Sequence, residues 1–190
     1  MKGISTEEQL RLKTEFEDCL SCINRDKTDT LLGWLNEHHF FEVPASCNYH
    51  NNFRYGLLKH SIDVYHEGLK IYYDTVSKTG NEDYIFKDSI AVACLLHDIC
   101  KWNVYYISPY DNAIKKNVKA YSEGHGLKSI RILEKIGYPL TEQEKLAIWW
   151  HMGQKYEPSY KCYTKEYELS TTDPLCNLVR NADRAAAGKA

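Results

Sequence analysis

The sequence predicts an all-α protein, a bundle of about seven helices interrupted once by a small β-hairpin around residues 103–120. Three observations carry this. Apolar residues recur at the 3.6-residue helical period along most of the chain. Several of the resulting segments begin or end on residues that cap helices. The one stretch of strand-like composition, "WNVYYISPYDNAIKKNVKAY", gathers tyrosine, valine and isoleucine around a Pro-Tyr-Asp-Asn turn.

The first helix is expected over Thr6 to Asn24, with Leu10, Phe16 and Leu20 among its apolar positions, and the second over Asp29 to His38, with Leu31, Leu32, Trp34 and Leu35. Phe40 to Arg54 reads as a loop, marked by Pro44, Ser46 and two adjacent asparagines. Gly56 to Ser77 makes a third helix and Tyr84 to Lys101 a fourth. After the hairpin, Ser122 can cap a fifth helix that runs to Ile136 and stops at Gly137, with Pro139 beyond. Thr141 and Glu144 form a capping box for a sixth helix ending near His151. Met152 to Thr172 reads as a long tyrosine-rich loop. Asp173 followed by Pro174 opens a seventh helix to about Ala187.

With 190 residues and 43% hydrophobic content the chain can bury a core of its own, and it is read as one domain over 1–190, residues 1–40 holding the first two helices. A net charge of −2 argues against binding nucleic acid mainly through charge. No apolar run reaches the ~20 residues that span a bilayer, and the polar, acidic start "MKGISTEEQLRLKTEFEDC" is unlike a signal peptide. Seven cysteines, an odd count, suit reduced thiols in a cytoplasm. Cys19 and Cys22 form a CxxC without a second pair, and are read as ordinary positions on the first helix.

Polar interruptions of the apolar segments are the functional signal. "ACLLHDICKW" ends an apolar run in His97 and Asp98 and sets Lys101 three residues on. Ile90, Cys94, His97 and Lys101 would share one helical face. "YGLLKHSIDVYHEG" places His60 among leucines, "SEGHGLKSIRIL" puts His125 in a first turn between two glycines, "KLAIWWHMG" ends in His151, and "LCNLVRNADRAA" holds Asp183 one turn after Val179. Each alone reads as a satisfied core polar group. Together they bring imidazoles and carboxylates to the inward faces of five helices, and a buried carboxylate normally pairs or binds a metal. Nitrogen and oxygen ligands without thiolate suit Mn, Fe, Co or Ni, and Zn or Mg less distinctively. Helical bundles build one- and two-metal sites from facing helices in this way.

The order His60 … His97-Asp98 … Asp183 resembles the HD-domain metal-dependent phosphohydrolase superfamily over roughly Pro44 to Ala187, and "LLHDICK" looks like its signature element. "HNNFRYGLLKHS", "GHGLKS" and "WHMG" are similar to a group of small bacterial and phage HD hydrolases with a hairpin after the His-Asp helix, and more distantly to the HD domain of 3′–5′ exoribonucleases. The chain departs from the latter at "HNNFRYG", where Asn51 follows His50 and Tyr55 stands where a second glycine is common, which leaves His50 outside the expected ligand set.

The resemblance implies an HD-domain bundle with its core over 44–187. One metal would be held by His60, His97, Asp98 and Asp183, and Asp98 would bridge to a second ion held by His125 and His151. Such a pair of ions, ~3.5–4 Å apart, activates water for attack on a phosphate ester. The expected substrate is a nucleotide or other small phosphate compound. Extended nucleic acid fits less well, and no membrane is involved.

Asp98 and Lys101 are the candidate catalytic residues. Lys101 would neutralise phosphate charge, or else sit as a helix-end lysine favouring the dipole. Arg54, Lys59, His66 and Arg184 could bind phosphate or be solvated surface charges. Gly124 and Gly126 suggest that space around His125 matters. Tyrosines of the hairpin and of the 152–172 segment could stack a base or cover the core's edge. Competing readings are an HD-fold di-iron oxygenase, a 3′–5′ exonuclease-like phosphodiesterase and a nucleotide-binding module without catalysis.

Overall fold

The computed structural model describes residues 3–121 and 124–188. The chain is mostly helical, in the order α1 (Thr6–Ser21), α2 (Thr28–Glu37), α3 (Gly56–Thr79), α4 (Lys87–Leu96), β1 (Tyr105–Ile107), β2 (Ile114–Lys116), α5 (His125–Ile136), α6 (Glu142–Trp150), α7 (Thr164–Thr172) and α8 (Pro174–Ala186). Short 3₁₀ helices at Phe40–Glu42, Ile99–Asn103, Val118–Tyr121, Gln154–Tyr156 and Pro158–Cys162 link them. No helix among the described residues is long and apolar enough to cross a membrane, and all seven cysteines are free thiols.

Local chemistry sets most boundaries. The Ser5 hydroxyl accepts from Glu8 N at the start of α1. The Thr141 capping box is complete, and Asp173 accepts from Cys176 N with Pro174 at the first position of α8. Gly80 and Gly137 close α3 and α5 in the left-handed region. The expected cap at Ser122 lies outside the described residues. The hairpin forms as expected, antiparallel, with Tyr105 paired to Lys116 and Ile107 to Ile114.

α3 lies at the centre, packed against α8 and α4, while α6 packs on α8 and α5. The buried stripe of α1 is Leu12, Phe16 and Leu20, at spacings of four. Leu10, expected in that stripe, is instead exposed, because it lies two residues out of register with Leu12. A buried ion pair ties three elements together. Arg25, between α1 and α2, donates to both carboxylate oxygens of Glu144 at 2.7 and 2.8 Å, and Ser89 of α4 donates to the same group at 2.8 Å.

Two expectations are corrected. The fourth helix does not run from Tyr84 to Lys101 but ends at Leu96, followed by a turn at His97–Asp98 and then the 3₁₀ helix. The segment 152–172 is not an open loop: it holds two 3₁₀ turns and α7, giving eight α-helices among the described residues. α7 was hidden because its sequence, TKEYELSTT, has one buried residue, Ser170, and no side-chain N-cap. Its neighbourhood packs through aromatic rings instead, Tyr163 against Trp149 and Tyr167 against Trp150. Those two tyrosines cover the edge of the core.

Gly126 shows how tightly α5 meets α6. A Cβ added there would lie 1.8 Å from the Trp149 carbonyl oxygen, against backbone that cannot rotate away. Gly126→Ala is therefore expected to cost ~1–3 kcal/mol or more in urea unfolding. Gly33→Ala, on the exposed side of α2 with nothing within 4 Å, should gain ~0.5–1 kcal/mol. Equal effects from the two would contradict the close α5–α6 contact.

Candidate metal centre

Five elements deliver the cluster. α3 presents His60, the turn after α4 presents His97 and Asp98, the first residue of α5 is His125, the residue closing α6 is His151, and α8 presents Asp183. None of the six is more than 9% exposed. The helix has to end at Leu96 for His97 and Asp98 to serve one site, since adjacent helical side chains diverge by ~100°. Asp98 adopts φ −109° and ψ 19°, outside the helical region, and this swings its carboxylate onto its neighbour's ring. Asp98 Oδ2 then lies 3.2 Å from His97 Nε2 and 3.6 Å from His60 Nε2.

Asp183 Oδ1 closes the group, 3.1 Å from His60 Nε2 and 3.8 Å from His97 Nε2. On the other side of the carboxylate, Asp98 Oδ1 faces His151 Nε2 at 3.7 Å. The 3₁₀ helix brings side chains three apart into line. Lys101 N donates to Asp98 O at 2.9 Å, and Lys101 Nζ reaches Asp98 Oδ2 at 2.6 Å. Lys101 stands in the last turn of the 3₁₀ helix, buried with its ammonium against the cluster.

Two imidazoles are held with a defined nitrogen facing inward. His97 Nδ1–H donates to the Cys94 carbonyl at 2.8 Å and His151 Nδ1–H to the Ile148 carbonyl at 2.7 Å. Each bond fixes the ring and leaves Nε2 directed at Asp98, as metal-ligating histidines are oriented. Several inward atoms lack any hydrogen-bond partner although fully buried, namely His60 Nε2, His97 Nε2, His151 Nε2 and Asp98 Oδ1. Buried polar atoms are normally paired. Imidazole nitrogens and carboxylate oxygens that converge at 3.1–3.8 Å fit a divalent cation, and His60, His97 and Asp98 are close enough together to share one.

Electrostatics follow from burial and neighbours. Burial pushes His60 down, His151 to about 4 and His125 to about 3, which favours neutral rings able to donate a lone pair. Burial also acts on His97, but the Asp98 and Asp183 carboxylates outweigh it and the net shift is upward. Burial would raise Asp98, yet Lys101 and His97 hold it well below the usual carboxylate range, and His60 and His97 do the same for Asp183.

Not every candidate reaches the cluster. Arg54 is exposed and paired with Glu42, with its guanidinium over the Tyr55 ring. Lys59 pairs with Asp63 at 2.7 Å along α3, and His66 with Glu15 of α1. Arg184 is exposed on α8. His125 also has a sulfur beside it: Asp98, Cys100 and His125 offer ligand atoms within 4.8 Å of one another, with Cys100 Sγ 3.6 Å from His125 Nδ1.

Two further side chains adjoin the cluster. Cys100, expected only as a reduced thiol, stands three residues beyond His97 in the 3₁₀ helix. His50 packs its ring 4.7 Å from that of His60, with both nitrogens buried and unpartnered, and burial lowers it to about 4.

No family model, curated protein or solved structure matches the chain. What the described residues define is a mostly helical protein with a buried cluster of histidine, aspartate, cysteine and lysine.

The depressed histidines set an acid limit on the metal-free protein. His50, His60, His125 and His151 resist protonation when folded but take it up near pH 6.5 when unfolded. The unfolded chain thus binds more protons between about pH 6.5 and 4, and stability falls as pH falls through that window. His97, shifted upward, opposes this only in part. Asp98 and Asp183 add a further loss below about pH 4. Urea unfolding after chelation should give lower stability at pH 5 than at pH 7.5, with a smaller difference in His151→Gln. A flat profile would contradict buried neutral imidazoles.

Proposed function

We propose that the protein is a metal-dependent hydrolase of the HD-domain type that cleaves a small phosphate ester, a nucleotide being the favoured class. One observation carries this reading: the inward nitrogens of His60 and His97 converge on the carboxylates of Asp98 and Asp183 in a buried core. These are the four residues whose order in the chain resembles the HD signature.

His60, His97, Asp98 and Asp183 would hold the first divalent ion, drawn from Mn, Fe, Co, Ni, Mg or Zn. The second carboxylate oxygen of Asp98 would serve a neighbouring ion together with His125 and His151. Metal bound there supplies Lewis acidity and a water acidic enough to act as hydroxide near neutral pH. The protein's own groups do the rest. The Cys94 and Ile148 carbonyls hold the His97 and His151 rings in place. The apolar residues around the cluster exclude bulk water, which strengthens charge interactions inside it.

Lys101 supports phosphate chemistry over oxygen activation. A buried ammonium 2.6 Å from Asp98 can bind a phosphoryl oxygen and offset charge that builds during in-line attack. Arg54, Lys59 and His66 are each engaged by an acidic partner, which fits a small substrate better than a long nucleic-acid strand. The hairpin adjoins the Lys101 segment and exposes Tyr106 and Tyr110, whose ring faces suit a base.

A panel of phosphate mono- and diesters, assayed with each of those metals, tests this reading. Activity should appear with at least one metal and persist without oxygen. Turnover that requires oxygen, or none with any metal, would overturn it. Asp98→Ala should lose bound metal by elemental analysis together with all activity. Lys101→Met should keep its metal while losing on the order of 100-fold in kcat. An Asp98→Ala protein with full metal content would sink the assignment.

A further inference from the structure

Cys100 is fully buried in the 3₁₀ helix Ile99–Asn103, with its Sγ 3.6 Å from His125 Nδ1. A carboxylate oxygen of Asp98, the Cys100 sulfur and a ring nitrogen of His125 all lie within 4.8 Å of one another. We propose that Asp98, Cys100 and His125 form a second metal position with a thiolate ligand, which selects a borderline ion such as Zn, Co or Fe over Mg or Mn. The proposal rests on the metal-centre reading above and departs from it in one respect, since the ligands expected beside Asp98 were imidazoles alone.

Two independent observations support it. Asp98 Oδ1 is buried and has no hydrogen-bond partner, so an acceptor is left over after Oδ2 has met His60, His97 and Lys101. The protein also fixes the spacing of the other two donors. Cys100 N donates to Ser129 Oγ at 3.3 Å, and Ser129 lies one turn along α5 from His125. The segment carrying the sulfur is therefore bonded to the helix carrying the imidazole. The thiol faces a ring nitrogen, a carboxylate and the Ser129 hydroxyl.

Three protein ligands with a place left for water or substrate is the count typical of catalytic zinc sites. When the ion binds, the S–H bond breaks, the proton leaves to solvent and the sulfur lone pair forms the metal–sulfur bond, with no change of oxidation state. A soft anionic sulfur raises affinity for borderline ions far more than for hard ones. The site would thus prefer Zn, Co or Fe, whereas a site of imidazoles and carboxylates discriminates less.

Cobalt(II) reports ligand type directly. Chelator-stripped wild type, C100S and C100A are titrated with cobalt, with folding checked by circular dichroism. The wild type should show visible d–d bands together with a near-ultraviolet sulfur-to-cobalt charge-transfer band. C100S and C100A should keep the d–d bands of the remaining centre and lose the charge-transfer band. In competition, C100S should bind zinc at least about tenfold more weakly at this position, since even outer-shell partners contribute that much, with manganese affinity nearly unchanged.

A wild type with d–d bands but no charge transfer would overturn the thiolate while leaving the metal centre standing, and this result decides the matter even if neither variant folds. A charge-transfer band that persists in C100S would also overturn it, by placing the sulfur on another cysteine such as the Cys19–Cys22 pair. Absence of any cobalt spectrum in the wild type would overturn both the thiolate and the centre.

Discussion

Two carboxylates buried in the core of a helical bundle are the constraint on which the rest depends. Charge of that kind is costly to bury unless it is compensated. The fold sets four imidazoles and one ammonium around it from α3, α5, α6 and the segment after α4, which must meet α8 at one point. The close approach of α5 to α6 at Gly126, and the Glu144 network that anchors α6 to α4 and to Arg25, serve that meeting. The protein groups satisfy one another only in part. Several inward nitrogens and one oxygen are left without good hydrogen-bond geometry, and the proposed metal centre rests on them.

The break after Leu96 is the local device that makes the cluster possible. A continuous helix would send His97 and Asp98 in directions ~100° apart. By ending α4 and tightening into a 3₁₀ helix, the chain turns Asp98 onto His97 and aligns Lys101 with Asp98, and it carries Cys100 to His125. One change in helical pitch thus places four functional side chains. Lys101 is inward, as its shared helical face with His97 predicts, but it reaches Asp98 through the three-residue spacing of the 3₁₀ helix.

The sequence made the helical class, the hairpin, the capped starts of α6 and α8 and the inward histidines and aspartates legible, because each has a local cause. Caps are written in residue type, and a polar residue inside an apolar period marks an inward position. What stayed hidden has non-local causes. α7 buries almost nothing of its own and is held by rings on Trp149 and Trp150. The cysteine beside His125 depends on a 3₁₀ turn that no spacing rule announces. Arg54, Lys59 and His66 were phosphate candidates because they lie near ligands in sequence, but each is engaged by a carboxylate that only the folded chain brings near.

The most direct test of the centre is anomalous diffraction from crystals grown with manganese or cobalt. The account predicts a strong peak bounded by His60 Nε2, His97 Nε2 and the carboxylates of Asp98 and Asp183, at ordinary coordination distances of ~2.0–2.3 Å. No peak among these four residues, with His60 and His97 hydrogen-bonded directly to the two carboxylates, would contradict it.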